Sequence, residues 1–172
     1  KNITPEIVEK HPDIPWHWIT LCENINFHFE VFLKNKDKLI KWWHCVSSNP
    51  NITLEHINQY PDLPWNTYIL SANKNITWEI IMNNPEIDWS MSRYINNPNF
   101  KLIEYLEEGY MDDINICELN EICINSNLTW DDIKATPNLP WIENAHLISE
   151  HPNITWDIIK SNPDFPWDWE YV

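Results

Sequence analysis

Glycine is nearly missing from this chain: Gly109 is the only one in 172 residues. A phosphate-cradling loop or a dinucleotide fingerprint needs several glycines to bring backbone N–H groups against phosphate, so neither is encoded. No His-Glu-x-x-His run and no Gly-x-Ser-x-Gly nucleophile elbow occurs. Cys22, Cys45, Cys117 and Cys123 include no Cys-x-x-Cys pair, so zinc lacks its usual spacing, and no metal or cofactor is expected. Basic residues are scarce, 11 against 26 acidic ones, and the formal net charge is −15. Such a surface repels a phosphate backbone, so nucleic acid is not an expected partner, whereas a basic protein is. No apolar run reaches membrane-spanning length, so no membrane is expected. No secretory signal is expected either, while a chain that opens on Lys1 leaves room for a removed leader or a longer parent.

What the chain has in quantity is tryptophan, proline, asparagine and isoleucine. The Asn and Ile excess, with only three alanines, matches an AT-rich coding sequence. The 12 tryptophans and 13 prolines run against that bias, which points to a structural demand for them. Aromatic content of 13% and hydrophobic content of 43% are enough for packed cores and too high for a disordered tail.

These residues recur in register. Units begin at Asn2, Asn26, Asn51, Asn75, Asn99, Asn127 and Asn153, 24 to 28 residues apart, so residues 1–172 read as a single repeat array whose last unit is partial. The cleanest copies are NITWEIIMNNPEIDW, NLTWDDIKATPNLPW and NITWDIIKSNPDFPW. The second unit loses its prolines, and the fifth carries Gly109 and an insertion. Thr4, Thr53, Thr77, Thr129 and Thr155 fall where a helix N-cap belongs. An apolar residue precedes each cap position and another follows it by four, from Ile3 and Val8 to Ile154 and Ile159, which is a hydrophobic staple in every copy. Pro12, Pro61, Pro85, Pro137 and Pro163 stop this first helix. The residues after them, such as Asp13, Asp62 and Asp164, predict caps for a second helix, with Pro15, Pro64, Pro140 and Pro166 in its first turn. Trp16, Trp65, Trp89, Trp141 and Trp167 follow as core knobs of that helix. The expected fold is all-α: tandem helix-turn-helix repeats, stacked as an α-solenoid or a compact helical array. Helices this short need their neighbours.

Two readings of the tryptophans differ in function. One per repeat is a core position; an exposed row would instead grip a peptide. Trp16 with Trp18, Trp167 with Trp169, and the run Trp42–Trp43 exceed what one core position needs. Trp18, Trp42, Trp43 and Trp169 are therefore the candidate protein-interaction residues. Cys22 and Cys123 lie four residues before a repeat start, where Ser71 and Ser149 lie in others, and read as small residues at a tight packing point. His11 and His151 precede proline and read as loop or capping residues. Glu107, Glu108, Asp112 and Asp113 form an acidic insertion without EF-hand spacing. Sequons at Asn2, Asn51, Asn75, Asn127 and Asn153 share one phase of the repeat, where the threonine is already explained as a cap; glycosylation is the weaker reading.

The phrases NITWDIIKSNPDFPWDW and NITWEIIMNNPEIDW resemble the Asn/Trp/Pro-rich short repeats of uncharacterised proteins from giant DNA viruses that infect amoebae. The resemblance covers most of the chain, and the fifth unit departs from it furthest. It implies a viral origin, a place in the host cytoplasm or the virion, and no catalytic residues. The expected function is a non-enzymatic protein–protein interaction or scaffolding module. The alternative is a virion structural protein, for which self-association is a possible mode; an enzyme hidden in the fifth unit is the weakest reading.

Overall fold

In the computed structural model, residues 3–110 and 114–171 are described. Among them the regular structure is helical throughout, with no strand. The chain divides into two compact units, Lys1–Asn97 and Pro98–Val172. The first holds repeats one to four and the second holds repeats five to seven.

Every repeat opens with a six-residue helix: α1 (Pro5–Lys10), α3 (Phe29–Lys34), α6 (Leu54–Gln59), α8 (Trp78–Asn83), α10 (Leu102–Glu107), α12 (Trp130–Ala135) and α14 (Trp156–Ser161). Each starts immediately after the cap position. The hydroxyls of Thr77, Thr129 and Thr155 accept from the amides of Ile80, Asp132 and Ile158, which satisfies one free N–H of the first turn. At Thr53 the backbone amide donates to Nδ1 of His56. Thr4 makes no cap bond through its side chain. The neighbouring Thr4 side chain holds the Glu6 carboxyl below the usual carboxylate range. Most staple positions belong to the core: Val8, Phe27, Phe32, Ile52, Ile57, Ile76 and Ile81 are buried in the first unit, and Phe100, Tyr105, Leu128, Ile133 and Ile159 in the second, while Ile3 and Ile154 are half-buried.

The second helices are α2 (Trp18–Cys22), α5 (Trp43–Ser47), α7 (Thr67–Ser71), α9 (Met91–Tyr94), α11 (Ile116–Ile124) and α13 (Ala145–Glu150). A further turn of helix, α4 (Lys36–Leu39), precedes a 3-10 turn at Ile40–Trp42, and another 3-10 turn at Trp141–Asn144 leads into α13. In the first unit α2 packs on α5, α5 on α7 and α7 on α9; in the second, α11 packs on α13.

The second helix does not begin where the sequence places it. Asp13, Asp62 and Asp164 lie in turns, and Pro15, Pro64 and Pro166 lie in the non-helical stretch that follows. The amide of each motif tryptophan bonds the carbonyl two residues back, as Trp65 does to Leu63 at 2.7 Å and Trp141 to Leu139 at 2.8 Å. That closes an inverse γ-turn, and Pro140, at φ −79 and ψ 57, sits at its centre. Proline's ring favours this geometry, so the second proline builds a turn. The actual caps of α7 and α9 are Asn66 and Ser90, whose side chains accept from Ile69 and Arg93.

Candidate protein-interaction surface

The motif tryptophan closes the first helix rather than filling the second. The carbonyl of His11, the C-cap of α1, accepts from the amide of Ile14 at 3.2 Å and from the indole N–H of Trp16 at 2.9 Å. Tyr60 with Trp65, Asn84 with Trp89, Thr136 with Trp141 and Asn162 with Trp167 repeat the arrangement at 2.8–2.9 Å. Both lone pairs of an otherwise orphaned terminal carbonyl are thereby used. The indole also covers the turn: Trp141 and Trp167 are buried, while Trp16, Trp65 and Trp89 are half-buried.

The asparagines that open the repeats join one repeat to the one before. Nδ2 of Asn51 donates to the carbonyls of Ile25 and Phe27, and Nδ2 of Asn75 to those of Pro50 and Ile52, at 2.7–3.0 Å. In the second unit Asn127 does so to Pro98 and Phe100, and Asn153 to Ser126 and Leu128. A second row runs two residues earlier. Asn49 donates to Cys22, Asn73 to Ser47 and Asn49, and Asn97 to Ser71, Asn73 and Ile76. Oδ1 of Asn49, Asn73 and Asn125 accepts the amide of the asparagine two residues on. These inner asparagines are buried, and sequence reasoning passed over them. Their signal was legible as Asn-x-Asn at 24–26, 49–51, 73–75, 97–99 and 125–127.

His151 takes the inner asparagine's place in the last repeat. Nδ1 accepts the amide of Asn153 at 3.1 Å, and Nε2 pairs with the carbonyl of Asn125 at 2.9 Å. The pairing requires the Nε2–H tautomer with Nδ1 as acceptor, so the ring reproduces a carboxamide's donor and acceptor.

The position four residues before a repeat start is serine or cysteine except before Asn99, where it is the buried Ile95. Ser47, Ser71 and Ser149 accept, through Oγ, the amides of Asn66, Ser90 and Asp168 in the following repeat, at 2.8–3.0 Å. Where the following repeat has a 3-10 turn before its second helix, at Ile40–Trp42 and Trp141–Asn144, the residue is Cys22 or Cys123. Burial pushes both thiols up to about 12, which keeps them protonated and poorly nucleophilic.

The proposed contact residues divide. Trp169 and Trp42 are exposed, at 66% and 40%, and Trp18 is half-buried. Trp43 is a correction: it is 1% exposed, packed edge-on against Trp65 with ring centroids 5.7 Å apart. The second repeat lacks the motif tryptophan, and Trp43, at the start of α5, fills space beside Trp65 instead. Exposed aromatics that the sequence did not single out are Tyr68, Trp156 and Tyr171, at 55%, 58% and 53%. Trp156 stands where Trp130 stands one repeat earlier, but Trp130 packs against Phe165 and Trp167 of the next repeat.

Among the described residues no cluster of His, Cys, Asp and Glu could hold a metal ion, and no helix is long and apolar enough to cross a membrane. Glu107 and Glu108 are exposed at the end of α10; Asp112, Asp113 and the repeat start at Asn2 lie outside the described residues. The chain matches no protein-family model, no curated protein and no solved structure.

Proposed function

We propose that the chain is a non-enzymatic interaction module, a scaffold of viral origin that binds another protein. The observation that supports this reading is a division of labour within each repeat. The recurring Asn, Ser and Trp groups are turned onto backbone, and large apolar side chains between them stand in solvent: Tyr68, Ile124, Ile142, Trp156 and Trp169 are each more than half exposed. Exposed apolar side chains on an acidic exterior suit a partner that carries basic residues around an apolar anchor. The site of action in this proposal is the host cytoplasm or the virion.

The test is capture from amoebal lysate on the immobilised chain, beside a variant in which Tyr68, Trp156 and Trp169 are each changed to serine. A basic protein held by the wild type, released by salt and not held by the variant is the expected result. Equal retention by both chains would overturn the assignment.

A second reading, a virion component that assembles with itself, is favoured by Trp156. It shows to solvent the face that Trp130 uses to seat the next repeat, so a repeat from another copy is a fitting occupant. Concentration-dependent assembly that Trp156→Ser abolishes would favour it.

A further inference from the structure

The acidic balance of the chain is broken in one place. Lys34, Lys36, Lys38 and Lys41 fall within eight residues that contain a single carboxylate, Asp37, and all four lysines are exposed. Beside them, in the first unit, a groove of about 240 Å³ runs between the first and second repeats, lined by Val8, Glu9, Trp16, Trp18, Lys34 and Lys38 among others. Glu9 holds Lys34 at 2.7 Å, and Lys38 forms no ion pair among the described residues. Trp16 uses its indole N–H on the His11 carbonyl, whereas the indole N–H of Trp18 bonds nothing among the described residues. The groove is thus lined by a lysine with no ion pair among the described residues and by two indoles, one of which has an N–H that bonds nothing among them, and its one carboxylate is already engaged.

We propose that this groove binds an acidic peptide segment of a protein partner, with a carboxylate on Lys38 and the Trp18 N–H and an adjoining apolar side chain on the two indoles. The proposal rests on the interaction-module reading and adds a site of opposite polarity to the acidic exterior. The volume is below that of an ordinary small-molecule pocket and suits one or two side chains of a chain crossing the surface. A nucleic acid would present the same negative charge, but its backbone would run from this patch onto a strongly acidic surface, so a short acidic peptide is favoured.

The test uses the whole chain and a fluorescein-labelled peptide alternating Glu and Pro, read by anisotropy. A Gln-Pro peptide and a single-stranded RNA serve as controls. The expected result is binding of the Glu-Pro peptide that weakens with salt, falls at least about fivefold in Lys38→Glu and in Trp18→Phe, and is unchanged in Lys160→Glu of the second unit. Trp18→Phe keeps an aromatic six-membered ring and loses the pyrrole that carries the N–H, Trp18 is only half-buried and Lys38 is exposed, so both variants should keep the wild-type circular dichroism. Equal binding of the Gln-Pro peptide, unaltered affinity in Lys38→Glu, or tighter binding of the RNA would each overturn the proposal. A Lys38→Glu chain that loses the peptide and still captures a basic partner separates this site from the wider reading.

Discussion

Asn75 and Ile52 lie 23 residues apart in sequence and are joined by a hydrogen bond of 2.7 Å, from the Asn75 carboxamide to the Ile52 carbonyl. The same Nδ2 reaches Pro50 at 2.8 Å. One side chain therefore clamps two carbonyls of the preceding repeat, and its own amide is bound by Oδ1 of Asn73. Asn75→Asp replaces a double donor by a carboxylate facing two carbonyl oxygens. The expected cost is about 2–4 kcal/mol, read as a lower urea midpoint at neutral pH. A loss smaller than about 0.5 kcal/mol, the usual range of a surface change, would show that the clamp contributes little.

Trp89 and Asn84 make the corresponding local pair. Trp89→Phe keeps most of the ring and removes the N–H that the Asn84 carbonyl accepts at 2.9 Å. A loss of about 1–2 kcal/mol is expected, against less than about 0.5 kcal/mol for Trp169→Phe, whose side chain is exposed. Thermal unfolding of the two variants side by side decides it; equal effects would mean that the N–H is not what matters at Trp89.

His151→Asn should be tolerated, because a carboxamide restores the donor and acceptor found at Asn49 and Asn73. His151→Phe removes both partners of a buried network and should cost about 1–3 kcal/mol, chiefly in the second unit. Hydrogen exchange at the amide of Asn153 is the direct reading. It should stay slow in the asparagine variant and become fast in the phenylalanine variant.

The buried thiols make stability depend on alkaline pH. In the unfolded chain a thiol titrates near its usual 9.0, whereas folded Cys22 and Cys123 retain their protons to about 12. Above the unfolded value the unfolded chain binds fewer protons than the folded one. Their contribution is therefore intact below about pH 9 and lost as pH rises towards 12. Between neutral pH and about pH 10.5, wild type should lose more stability than the Cys22→Ala, Cys123→Ala double variant. Parallel losses in the two chains would refute this.

The helix pattern was legible because helix chemistry is local. Thr77, Thr129 and Thr155 cap the helices that the sequence assigns to them, and the staple residues other than Ile3 and Ile154 are buried. The second half of the repeat was misplaced for a local reason as well. A residue such as Asp62 followed by Pro64 fits a cap and first turn as well as a β-turn and γ-turn, and the competing geometry won because it brings the Trp65 N–H onto the Tyr60 carbonyl. Among the candidate contact residues, the exposure of Trp42 and Trp169 agrees with the surplus of tryptophan in their repeats. Trp43 was not distinguishable from Trp42, because adjacent residues of a helical turn point in different directions and only the neighbouring repeat decides which is covered.

By itself the sequence determined the period, the helical class, the start of the first helix in each repeat and the net negative charge, since each follows from residue identity and short spacing. The tertiary structure decided the rest. Asparagine carries the same carboxamide at every position, and nothing in its neighbours says that Asn75 bonds Pro50 and Ile52 or that His151 stands in for an asparagine. The bonds to Pro50, Ile52 and Asn125 join groups more than twenty residues apart, and they exist only once one repeat has packed on the next. The same packing settles which serine finds an amide and which position can be cysteine. It also gathers Trp16, Trp18 and Lys38 around one groove.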